Sequence, residues 1–508
     1  MHASRKEKVD KLLVLLLLIS LVYIAYSVGY ADYKYYSFSD GWWDMGIQLS
    51  SFYYHVAWPQ TMQGLQYLSF SNHMDPFELL LLPAFALYPN PATLFLLQDL
   101  ALVCAAIVIY YIGRNALKSA YVGIALAVAF LINPATTSLV FFDFHAEAFL
   151  PLFYLLAFYF YLRSRPVLFL SCYLLLLSVI ETSVPIGITL LAGLLIYEYS
   201  RRSSEPMLKR QNVRLIAACA LLTLLFFAFY SFSVSYLTAS YATGAYSSMP
   251  PYQRVINFMQ LQYQALASPP VVPGGASLYL IIVTVTIGAA ALLLGFGGYS
   301  LRAPLVALVL LSPWLFEIFL LHNVGFSLLG SEYYSYVIGG AVVASAIGIE
   351  RSGIKNRLAA IDKAFYIMFS AFLIAVIALT ATPVFANAAN VQNWLAPQNP
   401  TGAELAAATA SLDPNSTILA QEYLAVHLYK FRNLELQPNF AITVFTSRGF
   451  SVINDTFYWF KPQYVLVDNA TPGYAELDGS SGFDIYSYMG GNYTLYGTYG
   501  NVTVYTER

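Results

Sequence analysis

Short polar clusters interrupt an otherwise apolar chain, and each carries residues that could do chemistry. They are Trp43-Asp44-Met45-Gly46-Ile47, Asn72-His73-Met74-Asp75-Pro76, Phe142-Asp143-Phe144-His145-Ala146-Glu147, Ile180-Glu181-Thr182, and His322-Asn323 with Glu332. A carboxylate such as Asp44 can take a proton from an attacking hydroxyl or hold a cation. It can equally cap a helix beginning at Met45. Pro76 suits a first helical turn with Asp75 as its cap. His73 then stands just before that turn, where an imidazole can shuttle a proton or meet a phosphate, or simply sit on the surface. The third cluster is the densest. Asp143 and Glu147 have the i,i+4 spacing of one helical face, with His145 between them. Three ionisable groups among Phe and Leu at the end of an apolar run are costly, which points to function. Asp143 and Glu147 are candidate ligands for a divalent cation, with no cofactor otherwise indicated. Glu181, isolated between two apolar runs, needs a partner such as His145 or solvent. Glu332 also reads as a helix cap.

The elements that must position these residues are hydrophobic spans. Charged residues make up 10% of the 508 residues and hydrophobic residues 58%, with mean hydropathy +0.61. A soluble domain carries about 25% charge. The first run, Leu12 to Tyr30, follows Arg5, Lys6, Lys8 and Lys11. No small-residue cleavage site follows it, and Trp42-Trp43 looks interfacial, so it reads as an uncleaved span. Further runs lie at 92–112, 119–132, 146–162, 166–181, 183–198, 215–235, 276–297, 303–321, 333–349 and 364–384. The fold class expected is a polytopic α-helical membrane protein of about eleven spans. Of the 25 Lys and Arg, only Lys34, Arg254, Lys430, Arg432, Arg448, Lys461 and Arg508 then fall on the side opposite the N-terminus. That bias predicts a cytoplasmic N-terminus and an extracytoplasmic C-terminus in the cell membrane. In this orientation every cluster above faces outward.

Residues 1–384 form the expected membrane domain, with long outer loops at 31–78 and 236–275. Long ordered loops commonly carry function. The first is dense in aromatics, from Tyr33 to Trp58, which suits an interfacial helix or a sugar platform. Segment 77–88, broken by Pro83, reads as a half-buried helix, and 252–266 as a short helix in the second loop. Residues 385–508 form the expected extracytoplasmic α/β domain. Thr401 and Glu404 have capping-box spacing for a helix near 402–411. Strands are expected near 416–421 and 464–467, with a hairpin over 493–505 turning at Gly500-Asn501. The tail also holds all five Asn-x-Ser/Thr sequons, at Asn415, Asn454, Asn469, Asn492 and Asn501. Cys104, Cys172 and Cys219 fall in spans and read as packing residues, not a disulfide set. Nothing points to a nucleic-acid partner. No phosphate-binding Gly-rich loop, HExxH or zinc spacing occurs.

Asp44-Met45-Gly46-Ile47, His73 with Pro76 and Pro83, Pro91-Ala92-Thr93-Leu94 with Gln98, Phe142 to Glu147, and Glu181 together carry a family likeness. On them the chain resembles an uncharacterised prokaryotic family of predicted membrane proteins, domain of unknown function 2079. Near Glu181 the usual charged string is replaced by Ile180-Glu181-Thr182. The architecture is also similar to that of multi-span glycosyltransferases that use lipid-phosphosugars. Those enzymes place a catalytic acid in the first outer loop, where Asp44 stands, although Trp43 replaces the first residue of their paired acids.

This second resemblance implies transfer of a sugar from a polyprenyl-phosphate carrier to an extracytoplasmic lipid, glycan or protein, with that donor and membrane lipid as partners. Asp44 would be the general base, His73 and His145 would meet the leaving phosphate, and Asp143, Glu147 and Glu181 would position these groups or a cation. Phosphates are usually held by Arg or Lys, and Arg254 is almost the only outer candidate. Two other classes compete. A transporter requires ionisable groups near the membrane midplane. A non-catalytic envelope scaffold requires only an outer domain that binds a partner.

Overall fold

The computed structural model describes residues 10–38, 45–57, 75–201, 210–241, 304–319, 334–351, 400–420, 422–431, 433–436, 462–469 and 489–508. The helices fall on the hydrophobic runs. They are α1 (Lys11–Tyr36), α2 (Ile47–Ala57), α3 (Leu82–Leu87), α4 (Pro91–Tyr111), α5 (Ala120–Ile132) and α6 (Pro134–Phe141). They continue with α7 (Leu150–Leu162), α8 (Pro166–Ser178), α9 (Ser183–Arg201), α10 (Arg210–Tyr241), α11 (Pro304–Phe319) and α12 (Ser335–Arg351). Among the described residues two helices, Lys11–Tyr36 and Pro91–Ala116, are long and apolar enough to cross a membrane. The count becomes three if α5 and α6 form one bent span. The expected spans 276–297 and 364–384 and the expected helix at 252–266 lie outside the described residues.

α1 shows why such helices suit a bilayer. It buries small polar residues, with Ser20 3% and Ser27 1% exposed, while Leu21 and Val22 are 65% and 69% exposed. Lipid tails are as apolar as leucine, so small residues gather at helix contacts and leucines face outward. At one end Asp10 clasps α1 to α4, accepting from Tyr110 Oη at 2.6 Å and pairing with Arg114 Nη1 at 2.5 Å. At the other, Tyr30 packs on Phe141 of α6, ring centroids 4.8 Å apart. Beyond α4 a π-helical turn, Ile112–Ala116, runs against α5 through two glycines. A Cβ on Gly123 would stand 2.4 Å from the carbonyl oxygen of Tyr110, so only glycine lets the backbones meet.

The helix expected over 119–132 does end at Ile132, and a second, unexpected helix follows it directly. Asn133 accepts from the Ala135 N–H at 2.9 Å and Pro134 opens a new helix, so the chain bends by 45° and continues to Phe141. α7 and α8 form a tight pair, joined at Ser164 in the left-handed region, φ +52°. α12 packs on α7, and α11 packs on both α9 and α12. The loop expected from residue 236 starts later, since α10 runs to Tyr241; the rest of 242–275 lies outside the described residues. The three cysteines are unpaired and sit on α4, α8 and α10.

The chain divides into two compact units, Met1–Tyr30, Leu65–Pro83 and Ala92–Asn390 in one, and Ala31–Gly64, Ala84–Pro91 and Val391–Arg508 in the other. The first outer loop of the sequence reading is thus shared, and its aromatic part groups with the tail. The reason is aromatic packing inside that second unit. Tyr35 and Phe38 flank His427 at 4.3 and 3.8 Å, and Tyr53 meets Tyr429 edge-on at 5.3 Å. Phe52 packs on Phe85. These four rings pack within the second unit.

The tail carries α13 (Pro400–Thr409), α14 (Glu422–Ala425) and strands β1 (Thr417–Ala420), β2 (Asn433–Leu436), β3 (Tyr464–Asp468), β4 (Tyr493–Tyr499) and β5 (Val502–Glu507). The sheet order is β2-β1-β3-β5-β4, parallel for β2-β1-β3 and antiparallel for the rest. Leu419, Val465, Val467, Met489 and Tyr493 form its core. The capping box is corrected. α13 starts at Pro400, which places Thr401 inside the first turn, and Glu404 instead accepts from the Asn501 N–H of the β4-β5 turn at 3.0 Å. The sequon residues Asn415, Asn469, Asn492 and Asn501 are exposed; Asn454 lies outside the described residues.

Candidate functional site

The Asp143–Glu147 segment is built by a helix that stops. α6 ends at Phe141, residues 143–145 are irregular with His145 extended, and a 3-10 turn over Ala146–Phe149 leads into α7. Asp143 and Glu147 therefore do not share a helical face, which corrects the i,i+4 reading. The stop leaves backbone groups of both elements without helical partners. Gln98 of α4 takes one from each: its Nε2 donates to the Leu139 carbonyl at 2.8 Å, and its Oε1 accepts from the His145 N–H at 2.9 Å. The His145 ring lies against Phe142, with Nδ1 3.4 Å from the Asp143 carbonyl. Asp143, His145 and Glu147 are all buried.

The second cluster meets the third through a phenylalanine. Pro76–Leu80 is a 3-10 turn with Asp75 at the position before it. Asp75 caps by its backbone, the Glu78 N–H donating to its carbonyl at 2.9 Å, and not by its side chain as expected. Phe77 packs on Phe149 and Phe153 at 4.8 and 5.1 Å, which seats this turn on the start of α7. Glu78, fully buried there, was not singled out from the sequence. Its signal was present, a lone carboxylate in the run Pro76 to Leu82.

Glu181 occupies the turn between α8 and α9, half-buried. It and Asp75 both act electrostatically on the Tyr230 phenol of α10, which donates to the Leu177 carbonyl at 2.5 Å. Thr182 donates to Tyr336 of α12 at 3.2 Å. The structure thus brings Asp75 and Glu78, the Asp143–Glu147 segment and Glu181 into one neighbourhood at the ends of α7, α8 and α9. Asp44, His73, His322 and Glu332 lie outside the described residues, although helical turns do begin at Met45, just after Asp44. Among the described residues no group of three or more His, Cys, Asp or Glu gathers in metal-holding geometry.

A second buried acid escaped the sequence reading. Asp99, beside Gln98 on α4, is 1% exposed and meets Ser27 of α1. Span-averaged hydropathy hid it, because one carboxylate barely changes the mean of a 21-residue apolar helix.

The chain can thus offer buried carboxylates, one imidazole and several phenols at one end of a helical bundle, a set suited to moving protons and orienting polar substrates. No curated protein matches the chain. A family model described as "Predicted membrane protein (DUF2079)" matches residues 8–496, and the chain belongs to that family.

Proposed function

We propose that this protein is a membrane-embedded, glycosyltransferase-like enzyme that moves a sugar from a polyprenyl-phosphate carrier at the extracytoplasmic face. The observation that carries the reading is the gathering of Asp75, Glu78, Asp143, His145, Glu147 and Glu181 around the ends of α7–α9. Buried acids at one end of a span bundle are expensive unless they serve a polar substrate. In this reading the chain crosses the membrane eleven times, with the N-terminus cytoplasmic and residues 385–508 extracytoplasmic. Asp44 is the general base on the acceptor hydroxyl. His73 and His145 meet the leaving phosphate, and Asp143, Glu147 and Glu181 orient these groups.

The test is sugar transfer from polyprenyl-phosphate donors in membranes carrying the full chain. Asp44→Asn keeps side-chain size and helix-capping ability but cannot accept the proton, so transfer should fall by about 10²–10⁴-fold with thermal stability unchanged. Transfer at the wild-type rate would remove Asp44 from the mechanism. No transfer from any such donor by the wild type would overturn the reading. Transport is the second reading, and the buried carboxyl of Asp99 well inside a span is the observation that favours it.

A further inference from the structure

Among the described residues, Asp99 has few hydrogen-bond donors around it for a buried carboxylate. Its Oδ2 is in hydrogen-bond contact with Ser27 Oγ. The same Oγ lies 2.8 Å from the backbone carbonyl of Tyr23, one turn earlier on α1. A serine hydroxyl has one hydrogen, and a carbonyl only accepts. With Asp99 ionised, one hydrogen would have to serve both contacts. With Asp99 protonated, Ser27 donates to the Tyr23 carbonyl and Asp99 donates to Ser27, and both contacts hold a hydrogen. Asp99 Oδ1 and the Tyr23 hydroxyl, both buried, have no hydrogen-bond partner among the described residues. The Tyr23 phenol is within electrostatic reach of the same carboxyl. An ionised group with so few donors would carry a desolvation penalty of several kcal/mol.

The depth is consistent on both helices. At 1.5 Å per residue, Ser27 and Asp99 each lie within about 7 Å of the middle of their spans, Lys11–Tyr36 and Pro91–Ala116. The hydrocarbon core is about 30 Å thick, so the pair sits well inside it.

We propose that Asp99, with Ser27 and Tyr23, forms a reversible proton-binding site within the membrane, between α1 and α4. The proton is the ligand that fits. One carboxyl, one hydroxyl and one phenol fall short of the ~6–8 oxygens that a calcium ion gathers. The site holds whether or not the protein transfers sugar.

Among the described residues few other titratable groups lie near it. α1 presents Tyr23 and, farther along, Tyr26 and Tyr30, whose rings lie on Phe141, and Asp32, five residues past Ser27. α6 has no titratable residue. The 143–145 segment brings Asp143 and His145, tied to Gln98 on the adjoining face of α4. Tyr110 and Arg114, with Asp10, are at least about 16 Å farther along the helix.

The experiment is infrared difference spectroscopy of the full chain in lipid nanodiscs, titrated with pH. The wild type should show a protonated-carboxyl C=O band that fades reversibly as pH rises. Asp99→Asn should abolish it, and Ser27→Ala, which removes the acceptor, should shift it to higher frequency. If Asp99→Asn does not fold, the Ser27→Ala shift decides, and an unshifted band overturns the proposal. A band that resists alkali until unfolding overturns it as well, since Asp99 would then be a fixed hydrogen-bonding group. So does the absence of any band removed by Asp99→Asn.

Discussion

Replacing Gln98 with leucine isolates what holds the Asp143–Glu147 segment in place. Leucine is close to glutamine in volume, so packing around a 1% exposed side chain is largely kept. Two hydrogen bonds disappear, one to the Leu139 carbonyl and one from the His145 N–H. Their partners are main-chain groups that sequence cannot replace, because α6 ends there and residues 143–145 form no regular element. A buried backbone group left unsatisfied costs about 1–3 kcal/mol. Two of them set the expected loss at about 2–6 kcal/mol, a large share of the stability of a typical domain. Denaturant or thermal unfolding of the full chain in detergent measures the sum. Hydrogen exchange at the His145 amide separates the contributions, since that amide should lose protection while amides in mid-α4 keep theirs. Gln98→Glu retains the acceptor for His145 but not the donor to Leu139, so His145 protection should survive better than in Gln98→Leu. If Gln98→Leu unfolds like the wild type with the His145 amide still protected, Gln98 does not position the segment.

Three other perturbations test the frame. Gly123→Ala places a methyl 2.4 Å from the Tyr110 carbonyl oxygen and should cost about 1–3 kcal/mol by forcing the α5 backbone away, read as a lower unfolding midpoint. Gly500→Ala puts a side chain at φ +63° in the β4-β5 turn and should cost about 1–2 kcal/mol, with the Asn501 amide losing protection. Burial pushes the His427 imidazole down from 6.5 to about 3. Between those values the unfolded chain takes a proton that the native ring refuses, so the His427 contribution is constant above pH 6.5 and stability falls as pH drops toward 3. The slope is at most about 1.4 kcal/mol per pH unit and smaller in practice, because the ring is partly open to solvent. His427→Gln should flatten that acid limb in a pH series of melting curves; an unchanged slope would assign the limb to other groups.

Most element boundaries were legible because the physics behind them is local. Apolar runs of span length have little choice but helix, and Pro91, Pro134, Pro166, Pro304 and Pro400 each open one. β3 stands out as a short apolar run, and the β4-β5 hairpin by alternation and by Gly500. What was illegible depended on distant contacts. β2 is four residues long and is fixed only by pairing with β1. The spacing of Asp143 and Glu147 suggested a helical face, but the helix had already stopped at Phe141, and its loose ends are satisfied from α4, some 40 residues earlier in sequence. The packing of Tyr35, Phe38 and Tyr53 on His427 and Tyr429 is likewise invisible to composition.

Gln98 and Asp99 show how one apolar helix can carry two polar residues side by side. Successive residues on a helix point about 100° apart, so the two cannot share a partner. Gln98 turns toward the end of α6 and the start of the Asp143–Glu147 segment, where two orphaned backbone groups match its amide's acceptor and donor. Asp99 turns toward α1, where among the described residues it finds a single serine hydroxyl, already engaged by a carbonyl. The amide is fully matched while neutral, so its burial is stabilising once the helix stop is in place. The carboxyl is matched only when it carries a proton. The same dipeptide therefore contains one group whose hydrogen bonds do not depend on pH and one whose hydrogen bonds do. A difference between the two faces of α4 follows from that: the α4–α1 contact can respond to protonation while the α4–α6 contact stays fixed.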